Sequence, residues 1–126
     1  MVVDTSALAA ILFAEQDYED LAERLEGAER LLLSAASLVE LSMVVESRKG
    51  EEGARQIDLL VYRTQIEIVP VDAEQAEIAR EAWRRFGKGR HPAGLNFGDC
   101  FSYALAKQTG LPLLFKGADF GLTDLA

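Results

Sequence analysis

The sequence predicts an α/β protein, three layers deep (α/β/α), built on a central parallel sheet of four to five strands. Three observations predict it. Short runs rich in Val, Ile and Leu alternate along the chain with longer segments whose apolar residues recur at helical spacing. Capping residues such as Ser37 and Asp72 stand near the points where a run gives way to a helical segment. No linker, low-complexity tract or internal repeat interrupts the 126 residues, so residues 1–126 read as a single domain. Strands that alternate with helices imply right-handed crossovers and a parallel sheet covered on both faces.

In order, residues 1–4 (MVVD) form a first strand, and SALAAILFA after it has the apolar spacing of a helix. An acidic amphipathic helix follows over residues 17–26. Residues 30–34 (RLLLS) give a second buried strand. Ser37 is expected to cap a helix running to Arg48, and residues 51–64 supply another. Residues 66–71 (IEIVPV) make a third strand, held to a sheet edge or to a short run by Pro70. From Asp72 a long helix carries Ile78, Ala79, Ala82, Trp83 and Phe86 on one stripe. GKGRHPAG is a loop by its glycine and proline content. A helix from Phe97, apolar nearly all round yet carrying Asp99, ends at Gly110, and residues 111–115 (LPLLF) are the fourth strand.

Composition narrows the function classes. The net charge is −8, which excludes a protein sheathed in positive charge for nucleic acid but leaves room for a local basic patch. No apolar run approaches the roughly 18 residues of a membrane span. The opening MVVDTS lacks the basic region and cleavage site of a secretory signal, so a cytoplasmic protein with no membrane association is expected. A single cysteine, Cys100, excludes an internal disulfide and a thiolate zinc cluster. Cys100 and the lone His91 supply no thiol hydrolase, because the cysteine sits among core-spaced residues and the histidine has no orienting acid.

In open parallel sheets, ligands gather beyond the carboxyl ends of the strands. Asp4 ends the first strand, Glu40 lies about a turn into the helix after the second, Asp99 stands at its helix entrance, and Asp119 follows the fourth strand. Four acids far apart in sequence are thus expected on one rim. Like charges so placed repel unless a cation lies among them, and oxygen-only donors select a hard ion, Mg²⁺ or Mn²⁺. Such an ion suits phosphodiester hydrolysis, polarising a phosphoryl oxygen and activating water. Each acid also has a purely structural use. Asp4 could cap the first helix, Glu40 could close a capping box with Ser37, Asp99 could complement its helix dipole, and Asp119 or Asp124 could be loop acids. The signal lies in the four together. A basic segment, WRRFGKGRH, offers Arg84, Arg85, Lys88 and Arg90 beside two aromatics for a single-stranded or looped nucleic acid, and Lys116 is a further phosphate contact. The same basic residues would equally suit a helix C-terminus and a solvated loop.

VVDTSALAAI, SLVELSMV, GLNFGDCFSYALAK and LLFKGADFGLTDL resemble, in order and spacing, the motifs of PIN-domain ribonucleases, specifically the VapC toxins of VapBC toxin–antitoxin pairs. The resemblance spans the chain. It implies a Mg²⁺- or Mn²⁺-dependent endoribonuclease that cuts RNA, often transfer or ribosomal RNA, as a homodimer. It places the metal-binding and catalytic acids on Asp4, Glu40, Asp99 and Asp119, with Ser6 as a polar neighbour that positions metal or water. It also implies silencing by a VapB-type antitoxin whose basic tail enters the acidic site, which suits the acidic charge of this chain. Two departures stand out: FKGA replaces the stretch that usually precedes the final acid, so Asp124 competes with Asp119 for that role, and relatives of this type commonly continue into one more short strand.

The rival from another class is a receiver-type phosphoacceptor signalling domain, with Asp4, Asp72 and Lys116 laid on its scheme. It leaves Glu40 and Asp99 unexplained. A binding-only member of the same fold is the other alternative, and the complete acidic set argues against it.

Overall fold

A computed structural model describes residues 1–125 and contains four parallel strands in the order β3-β2-β1-β4. Strand β1 (Val2–Val3) leads into α1 (Thr5–Leu12) and α2 (Tyr18–Gly27), and β2 (Leu32–Ser34) into α3 (Ala35–Thr64). Strand β3 (Glu67–Val69) precedes α4 (Ala73–Phe86) and α5 (Phe97–Thr109), β4 (Leu113–Leu114) follows, and a 3₁₀ turn spans Phe120–Leu122.

The layers follow from the alternation of side chains along each strand. Val3 and Leu33 pack into a cluster with Leu8, Leu21, Leu41, Val45 and Ile57 from α1, α2 and α3. Their neighbours Val2 and Leu32 turn the other way, onto Leu105 and Ala106 of α5. Helix α4 then covers α5, with Ala79, Ala82 and Phe86 against Cys100, Tyr103 and Ala104. The three-layer parallel architecture is therefore the one expected, with strands shorter than the apolar runs that signalled them. Pro70 falls outside β3, which is an edge strand.

Two expectations are corrected. Helix α3 is capped by Ser34, whose Oγ accepts from the Ala36 amide at 3.2 Å, so the cap lies three residues before Ser37. Ser37 lies inside the first turn, and Glu40 therefore closes no capping box with it. The two helices expected over 37–48 and 51–64 are present within α3 and meet at a kink at Gly50 (φ 59°, ψ −143°), a conformation that favours glycine. Trp83, placed by its spacing on the buried stripe of α4, is 47% exposed at the edge of that stripe. Its carbonyl and indole occupy the space a Cβ on Gly87 would need.

The loop after α4 is pinned rather than loose. Lys88 donates its amide to the Leu95 carbonyl at 2.9 Å, and Leu95 donates to Phe86 at 2.9 Å. His91 packs edge-on against Phe86, and its Nδ1 accepts from the Ala93 amide at 3.0 Å. Asn96 is thereby delivered to the start of α5, at the mouth of the site.

Candidate active site

Asp4 sits where β1 ends, only 2% exposed. Its Oδ2 accepts from the Ser6 amide at 3.0 Å, so it does cap α1. Its Oδ1 accepts from Ser102 Oγ, on α5, at 2.5 Å. The cap and a role at the rim are compatible, because each carboxylate oxygen has a second lone pair.

Asp99 closes a capping box with Asn96. The Asp99 amide donates to Asn96 Oδ1 at 2.9 Å, and Asp99 Oδ2 accepts from the Asn96 amide at 3.0 Å. A capping acid at a helix N-terminus would ordinarily have a low pKa. Burial instead pushes Asp99 up to about 6, against the Asn96 amide, with Asp4, Asp119 and Glu40 adding repulsion.

Glu40 reaches the site from the second turn of α3, its carboxylate lying where a Cβ on Gly98 of α5 would stand. Desolvation raises its pKa, the Thr5 hydroxyl opposes the rise, and Asp4 adds to it. Asp119 is exposed, precedes the 3₁₀ turn and makes no side-chain cap there. Asp124 is engaged elsewhere: it accepts from Tyr103 Oη at 2.7 Å and pairs with Lys107 Nζ at 2.7 Å and Arg85 at 3.6 Å. Burial raises its pKa, but the bonds from Lys107 and Tyr103 and the nearby cations bring it below the ordinary value.

Among the described residues, no three carboxylate, histidine or cysteine side chains stand close enough to form a ready-made metal cage. The donor set fits an open site for a hard ion nonetheless. Mg²⁺ is typically held by one or two carboxylates, with waters and substrate phosphate completing its shell. Burial, with smaller repulsion from the neighbouring acids, lifts Asp99 towards neutrality, and a divalent cation would offset both.

The basic residues are mostly paired. Arg84 meets Glu81 at 3.3 Å, Arg85 meets Asp124 and lies 4.7 Å over Phe86, and Arg90 lies 4.6 Å over Trp83. Lys116 Nζ turns to Glu15 at 3.4 Å, while its amide donates to Ser6 Oγ at 3.0 Å. Lys88 has no ion pair among the described residues. Exposed pairs of this kind exchange readily, so phosphate can replace their carboxylates. Cys100 is buried and unreactive, its thiol pushed up to about 11 by burial and by Asp99.

Sequence reasoning did not single out Asn96 or Ser102. For Asn96 the signal was there, an Asn three residues before an Asp at a helix start. Ser102 follows Asp99 by three positions, hence on the same helix face, but nothing local marks its partner 98 residues away. Asp72 caps α4 through the Gln75 amide at 2.8 Å and accepts from Gln108 Nε2 at 3.0 Å, and β2 lies between β1 and β3, which removes the receiver arrangement.

Comparison with known proteins agrees with this architecture. A PIN domain family model matches residues 1–125. The chain is 58% identical over 130 residues to a Ribonuclease VapC of Mycolicibacterium smegmatis, covering 100% of this chain and 98% of that protein. It is 53% identical over 126 residues to Ribonuclease VapC30 of Mycobacterium tuberculosis, covering 100% and 96%. Among solved structures, Mycobacterium tuberculosis VapC20, a sarcin-ricin loop cleaving toxin, superposes with a TM-score of 0.76 at 24% identity, covering 95% of this chain and 92% of that one. The same fold and a family match along virtually the whole chain establish that this protein belongs to the PIN domain family.

Proposed function

We propose that this chain is a Mg²⁺- or Mn²⁺-dependent endoribonuclease, a toxin of the VapC type acting on transfer or ribosomal RNA in the cytoplasm. The observation that carries the proposal is the meeting of three acidic elements at α5: Asp4 accepts from Ser102 of that helix, and the Glu40 carboxylate lies against Gly98, next in sequence to Asp99. Relatives more than half identical over nearly their whole length are ribonucleases by name. Among the described residues, no helix is long and apolar enough to cross a membrane.

In this reading Asp4 and Asp99 are the direct metal ligands, and Asp119 and Glu40 complete the shell directly or through water. A bound Mg²⁺ or Mn²⁺ would supply charge for the phosphoryl oxygens and a water of lowered pKa. The chain's own residues do the rest. Ser6 holds Asp4 through its amide and keeps a hydroxyl proton for a water or a phosphate oxygen. Glu40, with its pKa raised, is suited to hold a water at the edge of the site. Lys88, with Arg84, Arg85, Arg90 and Lys116 exchanged from their surface partners, binds flanking phosphates. A VapB-type antitoxin with a basic tail would compete for the same acids.

Incubating labelled RNA with Mn²⁺ tests this. Cleavage is expected with the wild-type chain and absent with Asp4→Ala or with excess EDTA. Equal cleavage by Asp4→Ala would remove the acidic site from the reaction.

A second copy of this chain is the partner that best suits the groove of about 730 Å³ between α4 and α5. Trp83 and Phe97, 47% and 81% exposed, are its most exposed large apolar groups. Along α4, Glu77–Arg80 and Glu81–Arg84 alternate in sign, a pattern that becomes self-complementary across a two-fold axis. Sedimentation is expected to give a dimer for the wild type and a monomer for Trp83→Glu. A wild-type monomer at micromolar concentration would contradict this assembly.

A further inference from the structure

Two buried hydroxyls tie together the elements that carry three of the acids. Ser102 Oγ donates to Asp4 Oδ1 at 2.5 Å and stands 3.3 Å from Ser37 Oγ. Ser102 and Ser37 are 0% and 1% exposed. The one hydroxyl proton of Ser102 is committed to Asp4, so Ser37 is the donor to Ser102. The Ser37 carbonyl in turn accepts from Thr5 Oγ1 at 3.1 Å, next in sequence to Asp4. The result is a closed circuit through the end of β1, the first turn of α3 and the first half of α5.

The spacing gives the circuit its meaning. Ser102 follows Asp99 by three residues and Ser37 precedes Glu40 by three, so each hydroxyl shares a helix face with an acid about 4.5 Å along the axis. Burying a hydroxyl in an apolar layer is costly unless it is used, and Ala in both positions would fill the same layer without that cost. A charge-assisted O–H···O⁻ bond this short is among the stronger hydrogen bonds available to a carboxylate. With Ser102 on Oδ1 and the Ser6 amide on Oδ2, the Asp4 carboxylate has its rotation fixed, and one lone pair on each oxygen stays available.

We propose that Ser37 and Ser102 are positioning residues, a hydroxyl relay that sets the Asp4 carboxylate in register with Asp99 and Glu40 for a divalent cation. This rests on the nuclease reading above. Outer hydrogen bonds of this kind typically change metal affinity by about 10- to 100-fold when removed.

The test is the Mn²⁺ dissociation constant, read from free Mn²⁺ by electron paramagnetic resonance, alongside thermal melting. Ser102→Ala is expected to weaken Mn²⁺ binding by about tenfold or more, and Ser102→Thr, which keeps the hydroxyl, to recover part of the loss. Ser37→Ala should weaken binding less, and adding it to Ser102→Ala should change little further, because the relay is already cut. A merely structural serine would lower the melting temperature and leave the Mn²⁺ constant where it was. Wild-type Mn²⁺ affinity in folded Ser102→Ala, while Asp4→Asn loses binding, overturns the relay and leaves the nuclease reading standing. If Ser102→Ala fails to fold, Ser37→Ala decides: unchanged affinity overturns the relay, weakened affinity supports it. Undiminished binding and cleavage in Asp4→Asn overturns both.

Discussion

Asp99→Asn is expected to abolish RNA cleavage while leaving the fold intact. The amide keeps the shape, and its oxygen can still accept from the Asn96 amide, so the cap on α5 survives. The lost quantity is charge at the metal. Ligand charge supplies several kcal/mol of transition-state stabilisation, so a loss of about 100-fold or more is expected in kcat/KM. The same variant has an opposite effect on stability. Asp99 is raised to about 6 in the folded protein from an ordinary 3.8, so the folded state holds the proton more tightly than the unfolded state. In metal-free wild type, stability therefore falls as pH rises through the window from about 4 to 6 and stays lower above it. Allowing for solvent screening of a partly exposed group, the loss is about 1–2 kcal/mol. Asp99→Asn should flatten that fall and raise the melting temperature at neutral pH by a few degrees in EDTA. Equal melting temperatures for the two proteins from pH 4 to pH 7, together with retained cleavage, would make Asp99 a cap and nothing more.

Gly98→Ala is the second substitution with a large expected effect, and it separates activity from stability in a different way. Gly98 has ordinary helical geometry in α5, and alanine is a better helix former by up to about 1 kcal/mol. Yet the added methyl would stand where the Glu40 carboxylate now lies. The far end of a glutamate swings away cheaply, so the fold should be as stable as before or slightly more so. Cleavage should fall by at least about tenfold, the scale of one displaced charge contact of ~1.4 kcal/mol. A Gly98→Ala enzyme cutting RNA at the wild-type rate would show that Glu40 has no part in the reaction where it lies.

Much of this was legible in the sequence because it is local. The alternation of VVD, LLLS and IEIV with amphipathic segments fixes a parallel α/β sheet, since no other layer arrangement buries both sets of faces. Asp4 at the end of the first strand and Glu40 a turn into the helix after the second point to one edge of that sheet, whereas the helix entrance at Asp99 could lie at either edge until α5 is packed. Less legible was whatever depended on which of two equivalent local signals wins. Ser34 and Ser37 are both plausible caps, and the end of β2 at Ser34 decides between them. That choice moves Glu40 from a backbone partner to the site. Trp83 falls on the helical stripe by spacing, but Gly87 and the pinned loop let its indole lie across the surface. Asp119 and Asp124 could not be ranked by spacing, and Tyr103, Lys107 and Arg85 draw Asp124 away through contacts with no sequence signature. The Ser102 to Asp4 bond, across 98 positions, is likewise visible only once α5 is packed on the sheet.

The claim beneath all of this is that Asp4, Glu40, Asp99 and Asp119 serve one hard cation. Anomalous scattering from a crystal soaked in Mn²⁺ addresses it directly. The account predicts a peak within bonding distance of oxygens from Asp4 and Asp99, about 2.0–2.3 Å away, with Asp119 or Glu40 reached directly or through water. A peak elsewhere, or none there at a Mn²⁺ concentration that supports cleavage, would contradict it.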